Sequence, residues 1–212
     1  ARGTSDHAAQ LAKYLFEYEN RLPVCLAAPS IFTLYDRAPN LENALVIGIS
    51  QSGRGPDVIE VVGRAREQGA ATVAVTNEPA SELARAAEYV INCRAGEEKS
   101  VAATKTYLTQ LASLYLLSLC WSRDEPALEA LEKIPEGLRK ILDSVDPRIQ
   151  GRVERFRYMR ECVVIGRGLN YCTALEAALK MKETSYVVAE AYSAADFLHG
   201  PIAMVEEGFP VF

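Results

Sequence analysis

Residues Ile47–Val58 read IGISQSGRGPDV. An apolar run ends in Ser50, Gln51 and Ser52, two glycines follow, and an amphipathic pattern then begins at Pro56 and holds to Gln68. Ala44–Ile49 is continuously apolar and of strand length, the pattern of a strand buried on both faces of a parallel sheet. Proline suits the first helical position, and Gly69 suits the stop. The stretch is therefore a strand-to-helix corner whose polar groups stand at the carboxyl end of the strand. In doubly wound sheets that is where ligands bind.

The same alternation extends outward. Asp6–Tyr18 has helical spacing, with Leu11, Tyr14, Leu15 and Tyr18 on one face. Val24–Ala27 is predicted as a short strand and Ser30–Arg37 as a helix. Thr72–Thr76 is a second buried strand, Ser81–Ala87 a short helix capped by its serine, and Tyr89–Cys93 a further strand. Val101–Ser122 is predicted as one long helix, nearly all apolar in its second half and so buried or at a subunit interface. Glu125–Arg160 is charged, carries three prolines and is predicted as two amphipathic helices. Beyond it Cys162–Ile165 is a strand, Gly166-Arg167-Gly168 a turn, Thr173–Tyr186 a helix, Val187–Glu190 a short strand and Ala194–His199 a helix. Strand alternating with helix predicts an α/β fold with doubly wound parallel sheets.

A weak repeat runs through this pattern. Arg2-Gly3-Thr4-Ser5 and Arg167-Gly168-Leu169-Asn170 both precede helices, and an Ala-Ala pair follows each by about 25 residues (Ala27-Ala28, Ala194-Ala195). The repeat predicts two similar subdomains: 1–124 and 161–212, the second incomplete, joined by a helical connector over 125–160.

Composition narrows the function. In 212 residues, hydrophobic residues make up 49%, charged residues 24%, and the net charge is -5. That charge disfavours nucleic-acid and anionic-membrane partners, and no apolar run reaches the ~20 residues of a membrane span. The five cysteines form no C-x-x-C pair and there are two histidines, so no zinc site is expected. Scattered thiols without a signal segment predict reduced cysteines and a cytoplasmic location. The first and last residues look like interrupted elements, so a longer protein is expected.

Two clusters carry candidate chemistry. Ser50, Gln51 and Ser52 offer hydroxyls, an amide and backbone N–H groups ahead of a helix whose first turn has unpaired donors and a positive dipole end, a setting suited to phosphate. Ser5, after Gly3-Thr4, makes a second such corner. Serine caps and glycine turns also occur without any ligand. Glu176, Lys180 and Glu183, spaced i, i+4, i+7, line one helix stripe. A carboxylate beside an ammonium can shuttle a proton, although a solvated Glu–Lys–Glu ladder has the same spacing. His199, in Leu198-His199-Gly200-Pro201, is a candidate acid–base group near neutral pH. His7 has no evident role.

These residues, with Ala95-Gly96-Glu97-Glu98 leading to Val101-Ala102-Ala103-Thr104-Lys105, Leu175–Glu183 and Ala189-Glu190-Ala191-Tyr192, resemble the sugar isomerase (SIS) domain family over essentially the whole chain. Within it the likeness is to the isomerase halves of glutamine–fructose-6-phosphate aminotransferases and to stand-alone glucosamine-6-phosphate deaminases. The resemblance implies two flavodoxin-like subdomains, a homodimer, a sugar-phosphate substrate and no cofactor. It implies that Ser50, Gln51 and Ser52 hold the phosphate of a hexose 6-phosphate, that Ser5 and the Val101 backbone meet the sugar, and that Glu183 moves a proton between C1 and C2. Lys180 would assist at the reacting oxygens or amine, Glu176 would orient Lys180, and His199 would open the ring, reaching in from a neighbouring subunit. The family's Schiff-base lysine would lie beyond Phe212.

Two positions depart from the aminotransferase pattern: Gly55 stands where a threonine is usual, and Arg54 where an acidic residue is usual. Gly55-Pro56-Asp57 is closer to the deaminases, so deaminase-type chemistry is the first expectation, with the isomerase domain of a glutamine-dependent synthase as the alternative. A non-catalytic sugar-phosphate sensor is a second alternative, disfavoured by Glu183, Lys180 and His199 occurring together.

Overall fold

Two helices, α1 (Thr4–Glu19) and α2 (Pro29–Thr33), precede an alternating series: β1 (Leu45–Ile49), α3 (Pro56–Glu67), β2 (Ala71–Thr76), α4 (Glu82–Ala86) and β3 (Tyr89–Asn92), followed by α5 (Lys105–Ser122). These elements are seen in a computed structural model, which describes residues 1–212 apart from the side chains of 146–148. The strands are parallel in the order β1-β2-β3, with Ile49 opposite Val75 and Val75 opposite Ile91. Pro56 fixes the first turn of α3, and Val58, Val61, Val62 and Ala65 return to one face at helical spacing. Val58 and Val62 pack with Ala74, Leu83 and Ala87 into a buried core. Burial of about 1.5–3 kcal/mol per large apolar side chain holds the corner together.

The chain divides into two units, Ala1–Tyr115 and Leu116–Phe212. The second contains α6 (Glu125–Glu132), α7 (Ile134–Gln150), β4 (Glu161–Gly166), α8 (Leu169–Ser185), β5 (Val188–Ser193) and α9 (Ala194–Phe197), with single 3-10 turns at Val153–Phe156 and Pro201–Met204. Asp124 caps α6, its carboxylate accepting from the Ala127 amide at 3.0 Å. β4 and β5 pair in parallel, and Val163 makes a further parallel bridge to Val211. Cys162, Val164, Ala174, Ala178 and Ala189 form the core between this sheet and α8.

The repeat is visible in the backbone. Gly3 (φ 52, ψ -133) caps α1, and Gly168 (φ 61, ψ -134) caps α8, neither with a side-chain hydrogen bond. Positive φ is open to glycine at little cost, and here it turns the chain straight into a helix. That is why α8 begins at Leu169, four residues before the predicted Thr173.

Other expectations need correction. No strand forms at Val24–Ala27, because Val24 spends its backbone groups on side chains: Lys13 Nζ donates to its carbonyl at 3.0 Å and Glu17 accepts from its amide at 3.2 Å. α5 begins at Lys105 rather than Val101, because Glu98 caps it there. β5 runs on to Ser193, α9 stops short of His199, and α2 stops at Thr33. β1 is fully buried only at Gly48 and Ile49, and β3 is an exposed strand with Tyr89 59% accessible.

Candidate active site

In the first unit, the corner after β1 is tied down residue by residue. The Ser50 amide donates to the Val75 carbonyl at 3.0 Å, and the Ser50 hydroxyl accepts from the Gly53 amide at 3.1 Å. The Gln51 carbonyl accepts from the Asn77 amide at 3.1 Å and from Thr76 Oγ1 at 3.2 Å. The Gly53 carbonyl accepts from the Leu83 amide at 3.0 Å. Gly53 has φ +61, and a Cβ there would fall 2.1 Å from Ser81 Oγ, so only glycine fits against the α4 cap. Among the described residues, no hydrogen bond engages the amides of Gln51 and Ser52 or the Ser52 hydroxyl. Successive free amides in a turn make a concave anion site.

The start of α3 is less open than its sequence implies. Asp57 sits in its first turn, accepts from the Val58 amide at 3.0 Å and pairs with Arg2 at 2.5 Å. That carboxylate already answers the helix dipole. The amides left without a partner among the described residues are those of Gln51 and Ser52, one step before the helix.

Ser5 is buried, 8% exposed, and accepts from Gln110 Nε2 of α5 at 3.0 Å. Val101 stands fully exposed in the loop before α5. That loop is fastened at both ends. Asn77 donates to the Gly96 carbonyl and accepts from the Ala95 amide, both at 2.8 Å. Glu98 Oε2 accepts from the Thr106 amide at 3.2 Å and hydroxyl at 3.0 Å, and Lys105 Nζ donates to the Glu97 carbonyl. Desolvation pushes the Glu98 carboxyl up, but the Thr106 and Thr104 hydrogen bonds outweigh it and hold the carboxyl below the ordinary range.

In the second unit, α8 brings Glu176, Lys180 and Glu183 together. Lys180 Nζ lies 2.5 Å from Glu183 Oε2 and 3.4 Å from Glu176 Oε1. The Glu176, Lys180 and Glu183 side chains are 10%, 20% and 32% exposed, so the ammonium is flanked by two carboxylates and largely withdrawn from water. In this setting the ion pairs are screened less than on an open surface. His199 follows the end of α9. Its amide donates to the Asp196 carbonyl at 3.0 Å, its side chain is exposed, and among the described residues no ion pair joins it to Lys180 or Glu183.

Gln110 was not singled out in the sequence, and Glu98 entered only within Ala95-Gly96-Glu97-Glu98, with no role assigned to it. Gln110 and Glu98 each act across many residues of chain, and their signal is faint: a polar residue inside an apolar helix, and an acid ahead of a Thr-Lys-Thr run. Among the described residues, no cluster of ligating side chains suits a metal ion, and no helix is long and apolar enough to cross a membrane.

The SIS domain family matches residues 1–119 and 156–212. The chain belongs to the SIS domain family. Its relatives include the glutamine–fructose-6-phosphate aminotransferase (isomerizing) of Thermotoga maritima, 41% identical over 99% of this chain and 36% of the relative. The enzyme of the same name from Mycolicibacterium smegmatis is 40% identical over 100% of this chain and 35% of its own length. The C-terminal domain of glucosamine-fructose-6-phosphate aminotransferase from Francisella tularensis superposes with a TM-score of 0.87 at 31% identity, covering 99% of this chain and 62% of that one. This SIS chain thus spans about a third of the length of the curated relatives it matches. The mixed α/β architecture with parallel sheets is the family's fold.

Proposed function

We propose that the chain binds a hexose 6-phosphate and moves a proton between C1 and C2, an aldose–ketose isomerisation coupled to amination or deamination at C2. The observation that carries this is the Glu176–Lys180–Glu183 stripe, where Lys180 lies within ion-pair distance of both carboxylates. Glu183 takes the proton from one carbon and returns it to the next, as an enediol-type shift requires. Lys180 balances the charge and assists at the reacting oxygen or amine, and Glu176 orients it. The Ser50–Ser52 loop holds the phosphate, whose binding energy positions the reacting carbons. Ser5 and the Val101 backbone meet the sugar. His199 opens the ring, and the exposure of its side chain supports action across a homodimer interface. Domain limits of 1–124, 125–160 and 161–212 and a cytoplasmic setting belong to the same proposal.

The aminotransferase names of relatives at about 40% identity support the amination direction, with this chain as the isomerase part. Gly55-Pro56-Asp57 supports the second reading, a deaminase. Incubating the native protein with glucosamine 6-phosphate and following ammonia and fructose 6-phosphate separates them. Equal release of both products supports the deaminase. Glucosamine 6-phosphate formed only from fructose 6-phosphate with glutamine supports the synthase. Tight sugar-phosphate binding with neither reaction overturns catalysis in favour of a sensor.

A further inference from the structure

Gln110 lies on α5 with 1% of its surface exposed, and its Nε2 donates to Ser5 Oγ at 3.0 Å. Its Oε1 is fully enclosed and has no hydrogen-bond partner among the described residues. Turning the amide round does not cure this: Ser5 would then donate to Oε1, and Nε2 would be left without an acceptor. A buried polar atom without a partner lowers stability, and an apolar residue of similar shape would avoid the loss. Packing therefore does not account for this amide.

Control of the Ser5 hydroxyl does. With one lone pair of Oγ taken by the Gln110 N–H, the Ser5 proton is left to donate away from α5, and the bond Oγ accepts polarises the one it gives. Ser5 stands in the first turn of α1. Arg2, just ahead of it, is paired with Asp57 in the first turn of α3. The two helix starts thus share one edge of the first unit with the Ser50–Gly53 loop at the carboxyl end of β1.

We propose that Gln110 is a positioning residue: it fixes Ser5 so that the hydroxyl proton donates to an oxygen at the sugar end of a hexose 6-phosphate. The assignment rests on the sugar-phosphate reading above. It concerns the sugar end because, on that reading, the phosphate meets the Ser50–Ser52 loop, with which Gln110 shares no hydrogen bond among the described residues.

Titration calorimetry of the native protein tests it, with fructose 6-phosphate and inorganic phosphate as probes, on wild type, Gln110→Met, Ser5→Ala and the double variant. Each single change should weaken fructose 6-phosphate about tenfold, equivalent to about 1.4 kcal/mol. The double variant should be no weaker than either single one, because both remove one interaction. Inorganic phosphate should bind all four proteins alike, and Gln110→Met should melt no lower than wild type. Gln110→Asn, which keeps the amide but falls short of Ser5, provides the same test if Gln110→Met does not fold. Equal losses for the two ligands, additive losses, or unchanged fructose 6-phosphate affinity in Gln110→Met would each overturn the role. Wild-type protein that binds neither ligand overturns the sugar-phosphate reading itself, a different result from wild type binding and Gln110→Met binding equally well.

Discussion

Replacing Gly53 by alanine probes the corner that carries the proposed phosphate site. Two costs add. A residue with a Cβ in the left-handed region, as φ +61 demands, loses roughly 1–2 kcal/mol relative to glycine. The new Cβ would also stand 2.1 Å from Ser81 Oγ and 2.5 Å from Ser81 Cβ, so Ser81 must move. Moving it breaks the 3.3 Å hydrogen bond that its hydroxyl accepts from the Ala84 amide, a helix cap worth about 1 kcal/mol. The sum is about 2–3 kcal/mol, a large part of the ~5–15 kcal/mol that a domain has in all. Gly55→Ser is the control. Gly55 has an ordinary φ of -67, its Cβ would meet nothing closer than 3.5 Å, and a serine there can cap α3; it should be neutral or stabilising by a few tenths of a kcal/mol. Urea unfolding of the two variants should give midpoints about 0.7–3 M apart, given slopes of roughly 1–3 kcal/mol/M. A Gly53→Ala protein as stable as Gly55→Ser would refute the packing of this loop against the α4 cap.

Glu183→Gln should abolish turnover while sugar-phosphate affinity stays within about threefold, measured by single-turnover kinetics and calorimetry; substantial turnover would remove Glu183 from the proton path. The Glu98 carboxyl is held below its ordinary range, so its contribution to stability is present above the unfolded value of about 4.3 and fades as pH falls through the lower folded value. Glu98→Gln should therefore lower the melting temperature at pH 7, and the gap from wild type should close as the pH is lowered through that range. Alkylation at pH 8 should label Cys25 and Cys120, both exposed, and spare Cys93, Cys162 and Cys172 in the native protein. Burial raises all three of the latter thiols, that of Cys172 to about 11. Mass spectrometry showing early modification of Cys172 would contradict its packing in α8.

Much of the fold was legible because parallel strands and their helices write period and burial directly into sequence. Ala44–Ile49, Thr72–Thr76 and Cys162–Ile165 are apolar runs, and each became a strand. The Glu176–Lys180–Glu183 stripe was legible because helix geometry alone sets its neighbours. What stayed hidden depended on contacts distant in sequence. The Val24 backbone is satisfied by side chains of α1, so a strand-like composition formed no strand. The start of α5 is set by Glu98, eight residues from its partner Thr106. Gln110 meets Ser5 across 105 residues, and nothing in either local pattern announces the pair. Asp57 was visible as a residue, but its pairing with Arg2, which occupies the first turn of α3, was not.

The most direct test of proton transfer between C1 and C2 is solvent exchange. The native protein is incubated with fructose 6-phosphate in deuterium oxide, and the sugar is followed by NMR. Deuterium entering at C1, lost in the Glu183→Gln variant, is the predicted result. Fructose 6-phosphate that binds but keeps its protium would contradict it and leave a sugar-phosphate-binding module without the isomerase chemistry.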